Sequence, residues 1–481
     1  MLFNSGHFLI FFPIVLIVYF WAPKKYRWLI LLVASYYFYM AWKAIYISLI
    51  LISTVLDYFV GLAMSQEDDK RNRKILLFIS LLVNLGLLGV FKYFNFFADN
   101  FNVLLGSLNL DYLIPASGLI LPMGISFYTF QTMAYTIDVY NRKIEAEKHF
   151  GYFALYVSYF PQLVAGPIER AQNLLHQFKL EFRFEYERVV SGLKQMLWGF
   201  FKKMVIADRV AVLVEAAYSN PEACDGGTLL LATLLFTFQI YCDFSGYSDI
   251  AIGASRILGI KLMDNFRTPY LSRNVSEFWS RWHISLSTWF RDYLYIPLGG
   301  NRVVKWRWYY NLLIVFLVSG FWHGANWTFI AWGALHGIYL ILALIFKEQK
   351  AQFSAKMNKW GLKRINTWTS IILTFVLVVI AWIYFRAENI SDAHLILSKI
   401  SSFDFNLVAL ESFIIDNGRV KALGILIIVA IFIFIDPFMD ALIKNKRKVS
   451  SLSSYLIYSF LTVTILIAGN FGKVDFIYFQ F

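Results

Sequence analysis

Long apolar runs separated by short basic segments dominate this chain. Runs close to the ~20 residues of a bilayer-crossing helix recur near His7–Trp21, Trp28–Tyr46, Ile47–Met64, Ile75–Phe91 and Leu113–Ile137. They resume near Leu229–Ile252, Trp327–Ile345, Ser370–Phe385, Leu423–Phe438 and Leu452–Ala468, while Tyr309–Phe321 is short and reads as a broken span. The pattern predicts an all-α, polytopic membrane protein of about eleven crossings. In lipid every backbone polar group must be paired within the segment, which long continuous runs achieve as helices. Outer-membrane barrel strands would be shorter and would alternate. No repeat or low-complexity tract is visible, so a single integral domain over 1–481 is expected, ending in a short tail, 469–481.

Three stretches interrupt the runs. Phe150–Val190 holds Pro161 and Gly166-Pro167 inside a short apolar run, the pattern of a re-entrant segment, which must be buried in protein or line a cavity. Arg256–Arg307 carries nine Arg/Lys against three acids together with Trp and Tyr, and is expected to form interfacial or re-entrant helices. Arg386–Arg419 is the largest loop expected on the outer face and is too small for a catalytic domain.

Composition agrees: 59% of the 481 residues are hydrophobic and only 16% charged, too few to cover a soluble protein of this size. The net charge of +13 gathers in clusters (Lys24, Lys25 and Arg27; Lys70, Arg71, Arg73 and Lys74; Lys444, Lys446, Arg447 and Lys448). All three fall on one side if each run crosses once, and that side should be the cytoplasm. The N-terminus and the 469–481 tail then face outward. The first run lacks a basic n-region and a small-residue cleavage site, so a retained helix is expected, not a signal peptide. No basic stripe on a soluble domain suggests nucleic acid. Cys224 and Cys242 are too few for a disulfide framework and lack metal-ligand spacing.

Chemistry starts with histidine. His323 and His336 lie in Tyr309–Ile345, a stretch with no acid, Lys or Arg. An ionisable group at bilayer depth is costly and signals function by default; the bland alternative is a neutral imidazole bonded between helices, which suits His336 better. On a helix over Ser276–Arg291, Trp279, Trp282, His283, Leu286, Trp289 and Phe290 share one face, so His283 is either a core residue or a second catalytic imidazole. His283, His323 and His336 make a weak zinc set, since no HExxH or Cys/His spacing is present, and no GxSxG elbow supports a serine triad. Asp243 and Asp249 sit at the end of an apolar run and need partners, which the basic segment after Arg256 is expected to supply.

Four segments carry a family resemblance: PQLVAGPIER (Pro161–Arg170), DFSGYSDIAIG (Asp243–Gly253), FWSRWHISLSTWFRDYLYIPLGGNR (Phe278–Arg302) and FWHGANWTFIAWGALHG (Phe321–Gly337). They resemble the membrane-bound O-acyltransferase superfamily, and within it the bacterial branch that O-acetylates alginate and peptidoglycan, with teichoic-acid D-alanylation proteins as relatives. The resemblance covers essentially the whole chain. It implies helices around a tunnel joining the two membrane faces. It maps the family's catalytic histidine onto His323 and its second polar position onto His283. The terminal FIYFQF, Phe476–Phe481, resembles the FxYxxF tail of a separate small protein in D-alanylation systems, which makes Tyr478 a candidate acyl acceptor. The bland reading of Tyr478 is an interfacial anchor.

On this reading the protein is an O-acyltransferase of the bacterial cytoplasmic membrane. It holds no bound cofactor, takes acetyl-CoA as donor, and passes acetyl to an envelope polysaccharide through an SGNH-like extracytoplasmic partner. Arg281, Arg291 and Arg302 would meet the anionic CoA. D-alanyl transfer, a transporter using the histidines as a proton relay, and a non-catalytic scaffold stay open as alternatives.

Overall fold

The computed structural model describes residues 1–481 apart from 111, 445, 446, 448, 473–475, 480, 481 and the side chain of 479. Of the basic cluster before the last span, Lys446 and Lys448 thus lie outside the described residues, as does part of the tail. The described secondary structure is helical throughout. Seven helices among the described residues are long and apolar enough to cross a membrane: Ala44–Gln66, Lys70–Ser107, Gly226–Ile257, Trp327–Ile345, Lys363–Arg386, Arg419–Ile443 and Ser451–Ala468. Gly6–Trp21 is apolar but shorter. Eleven crossings therefore exceed what helix length and composition alone support. Lys24–Met40 and Ile125–Tyr140 are 17 and 16 residues long, and Lys305–His323 is 19 residues but begins with a polar turn.

Two boundaries differ from the expected pattern. The run Leu113–Ile137 becomes a helix only at Ile125, because Pro115, Gly118 and Pro122 keep the preceding stretch irregular and Gly124 turns it at φ 74°. The run ending near Phe91 continues through a π-turn, Gly89–Tyr93, into Phe94–Ser107.

The chain forms two compact units. The first takes residues 1–196 and 247–263, with Tyr478. Ile47–Gln66, Lys70–Leu88 and Ile125–Tyr140 pack against one another there. They enclose Asp57, whose carboxylate accepts from Ser80 Oγ at 2.6 Å and Asn84 Nδ2 at 2.9 Å, a paired intramembrane polar group. Arg73 is buried, and its guanidinium donates to the carbonyls of Met64, Glu67, Val139 and Tyr140, so it closes the C-terminal ends of two helices. Every residue from Phe153 to Ala171 is buried in protein, the condition a Pro/Gly-interrupted segment must meet. Glu169, inside it, accepts the N–H of Met263.

The second unit takes residues 197–246 and 264–477. At its centre a hairpin of Lys305–His323 and Trp327–Ile345 packs against Lys363–Arg386. Asn326 caps the second arm by accepting from Thr328 N at 3.0 Å. The arms approach at two glycines. A Cβ on Gly320 would strike the carbonyl oxygen of Phe329, and one on Gly333 that of Phe316. Small residues permit this spacing between membrane helices. The expected outer loop is partly helical (Ile390–Ser401 and Leu407–Asp416), and Lys399 ties it down by donating to the carbonyls of Pro221, Glu222 and Cys224.

Candidate active site

FWHGANW forms the turn of the hairpin. His323 is the last residue of its helix, and Gly324 follows in extended geometry where a Cβ would strike the Phe329 ring. The His323 ring is 2% exposed. Trp322 and Trp332 stand edge-on to it with ring centroids at 4.9 Å, and Phe385 of the Lys363–Arg386 helix stands at 5.4 Å. Three aromatic walls thus enclose one buried imidazole, and in such low-dielectric surroundings electrostatic interactions gain strength.

His283 arrives from a different direction. The single helix expected over Ser276–Arg291 does not form. Val275–Arg281 ends at Trp282, His283 takes a left-handed φ of 44° and ψ of 54°, and a new helix runs from Ile284 to Phe290. Periodicity suggested one apolar face, but Asn265 overrides it. Its backbone carbonyl accepts from Ile284 N at 3.0 Å, while its side-chain oxygen accepts from Ser285 N at 3.1 Å and Ser285 Oγ at 2.8 Å. The same oxygen lies 3.3 Å from His283 Nδ1. As Asn265 Oδ1 can only accept, it assigns the proton to Nδ1 and the lone pair to Nε2. The left-handed backbone of a non-glycine residue costs of order 1–3 kcal/mol and persists only where its surroundings enforce it. Burial pushes the His283 imidazole down to about 3, so it is neutral at physiological pH.

The structure brings His283 and His323 together, with ring centroids 6.5 Å apart. That spacing is wider than a direct hydrogen bond between the rings and suits a small polar group held by both. His336 is placed apart from them in role. It is fully buried, and its Nδ1 accepts from Trp279 Nε1 at 3.3 Å, the neutral interhelical imidazole of the bland reading. Among the described residues no group of three His, Cys, Asp or Glu side chains assembles as a metal set.

The arginines expected to meet an anionic donor lie nearby in sequence. Arg281 pairs with Glu277 at 2.6 Å, Arg291 pairs with Asp292 at 2.8 Å, and Arg302 is exposed. Tyr478 belongs to the first unit and is half-buried, its ring edge-on to Phe127 with centroids at 6.2 Å. Both aspartates have partners: Asp243 meets Lys203 at 2.7 Å, and Asp249 accepts from Gln195 Nε2 at 2.9 Å. Sequence reasoning missed Asn265, Lys203 and Asp208. The lysine pair in GFFKKMVIADR was the one available signal, since two cations inside an apolar stretch require carboxylates.

Comparison with known proteins decides the family. The pattern of the membrane-bound O-acyltransferase (MBOAT) family matches residues 33–385, a stretch that includes both histidines. The chain belongs to the membrane-bound O-acyltransferase family. It is 39% identical over 405 residues to the probable alginate O-acetylase AlgI of Azotobacter vinelandii, covering 84% of this chain and 78% of that protein. It is also 39% identical over 392 residues to the peptidoglycan O-acetyltransferase of Helicobacter pylori, covering 76% and 72%. A teichoic acid D-alanyltransferase of Streptococcus thermophilus is more distant, 32% identical over 284 residues, covering 55% and 68%. This membrane-bound O-acyltransferase is therefore an enzyme, and the transporter and scaffold alternatives fall away. Its buried histidine pair is the natural place to look for the chemistry.

Proposed function

We propose that this protein takes an acetyl group from cytoplasmic acetyl-CoA and passes it across the membrane towards a cell-envelope polysaccharide of the alginate or peptidoglycan type. The supporting observation is the buried pair His283–His323, one imidazole oriented by Asn265 and the other enclosed by Trp322, Trp332 and Phe385. His323 acts as general base on a hydroxyl. His283, neutral and fixed in rotation, orients the reacting group and stabilises the charge that develops on it. The hydroxyl in this reading is that of Tyr478. His323 takes the phenol proton, the phenolate oxygen bonds to the thioester carbonyl carbon, the carbon–sulfur bond breaks, and CoA leaves as its thiol once protonated. A phenol has a pKa near 10 and needs such a base. The aryl ester stays activated for onward transfer, the usual logic of splitting one acyl transfer into two. Arg281, Arg291 and Arg302 bind the phosphates of the donor. An outer-face transferase of the SGNH type receives the acetyl group, and both termini of this inner-membrane protein face outward.

The test uses purified protein in lipid with radiolabelled acetyl-CoA and an envelope acceptor. His323→Ala is expected to lower transfer roughly 10²–10⁴-fold, the usual cost of removing a general base, while the protein still inserts. Tyr478→Phe keeps the ring and removes only the hydroxyl, so it should insert normally, carry no label, and fail to acetylate the acceptor. Near-normal transfer by His323→Ala would end the assignment of the base. Normal transfer by Tyr478→Phe would leave the tail as an anchor alone.

A further inference from the structure

The Gly226–Ile257 helix carries a buried carboxylate that shares its lysine with a second acid. Lys203 Nζ lies 2.8 Å from Asp208 Oδ1 and 2.7 Å from Asp243 Oδ1, and all three side chains are buried. With the ammonium divided between two carboxylates, the second oxygen of Asp243 needs a donor of its own in this low-dielectric interior. The donor is in the C-terminal tail. Asp243 Oδ2 accepts the backbone N–H of Ile477 at 2.8 Å.

The rest of this contact is apolar and close. Phe476 and Ile477 are 1% and 3% exposed, and the Phe476 ring stands edge-on to Phe244, the neighbour of Asp243, at 5.7 Å. The start of the tail is tied to the stretch that supplies Lys203. Arg209 Nε donates to the Ala468 carbonyl and Nη2 to that of Gly469, both at 2.8 Å, and Asn470 N–H donates to Met204 O at 2.9 Å. An interfacial anchor needs none of these directional bonds.

We infer that Asp243 is a positioning residue: it holds the C-terminal tail by the Ile477 amide and thereby fixes where the next residue, Tyr478, is presented. This rests on the reading of Tyr478 as the acyl-accepting residue. Lys203, shared with Asp208, holds one Asp243 oxygen and leaves the other facing the tail. A charge-assisted bond to a backbone amide is stronger than a neutral one. It also grips the chain without depending on the side chain at 477.

The experiment uses the full chain in nanodiscs and two readouts: deuterium exchange of the C-terminal peptide, and transfer of labelled acetyl. Asp243→Ala leaves the neutral Lys203–Asp208 pair intact. It is expected to raise tail exchange roughly tenfold to a hundredfold, as for loss of one charge-assisted hydrogen bond. It should lower kcat for transfer with the donor KM unchanged. Asp243→Asn retains an oxygen acceptor and should restore most of both. Ile477→Pro removes the donated N–H without touching the ion cluster, at the first position of a short helical turn, where proline is tolerated. It should reproduce Asp243→Ala, and it decides the matter alone if that variant does not fold. Wild-type tail exchange in Asp243→Ala or Ile477→Pro overturns the inference. So does a freed tail with undiminished transfer, provided Tyr478→Phe is inactive. If Tyr478→Phe is fully active as well, the reading of Tyr478 is what has failed.

Discussion

Two buried residues outside the spans respond to pH with opposite sign. Burial raises the Glu169 carboxyl from its ordinary 4.5 to about 7, with the Met263 N–H and the charge of Arg170 opposing. The folded protein therefore holds a proton that the unfolded chain gives up, and Glu169 costs stability as pH rises from about 4.5 towards about 7. Burial lowers His283 from 6.5 to about 3, so the unfolded chain takes up a proton that the folded one refuses, and stability is lost as pH falls through that window. Thermal unfolding in detergent from pH about 3 to about 7, the window these two groups cover, should show Glu169→Gln flattening the decline on the alkaline side and His283→Asn flattening the acidic one. A wild-type pH profile unchanged in both variants would show that neither group titrates on unfolding. At this scale the sequence marked His323 and His283 because imidazoles stand out in apolar surroundings. It could not mark Asn265, whose role comes from a backbone carbonyl and a side-chain oxygen meeting a segment some 20 positions on.

Among the elements, the hairpin of Lys305–His323 and Trp327–Ile345 controls where His323 stands, through the contact of Gly320 with Gly333. Gly333→Ala would press a methyl group onto the Phe316 carbonyl, which cannot rotate away as a side chain can. The arms must then separate, at an expected cost of about 1–3 kcal/mol for overpacking, and transfer should fall with stability because His323 lies three residues beyond Gly320. Gly424→Ala, on the Arg419–Ile443 helix, meets open space and should leave both unchanged. Equal thermal stability of the two variants would remove the hairpin contact from the account. Apolar runs were legible as helices wherever they lacked breakers, as in Trp327–Ile345. Two elements were misread, one for a local reason and one for a distant one. Proline and glycine delayed the helix expected from Leu113, and Asn265 split the one expected over Ser276–Arg291 by drawing His283 into left-handed geometry. Periodicity reports which face is apolar, and it does not report a distant residue that competes for backbone groups.

For the whole molecule, the membrane class and family were legible from apolar runs and motifs, whereas the crossing count was not, since several apolar runs became helices too short or too polar to count by length. The basic clusters predict a sidedness that is open to test. The Arg419–Ile443 helix should place Arg419 outside and Arg447 inside. A cysteine at Arg419 is expected to react with an impermeant maleimide from the outer face, and one at Arg447 only after the membrane is opened. Labelling of both from one side would reverse this assignment. Arg73 complicates the counting of such charges and gives it a time axis. Orientation is settled while the chain is being inserted, before its helices have packed, and on the sidedness just predicted Arg73 would at that stage be one more cation holding its segment in the cytoplasm. Once folded, its guanidinium is sequestered among four carbonyls and is no longer available to the membrane surface. On that sidedness the same residue would serve first as an address during synthesis and afterwards as a rivet. A substitution there carries two separable penalties, one paid by the nascent chain and one by the finished protein.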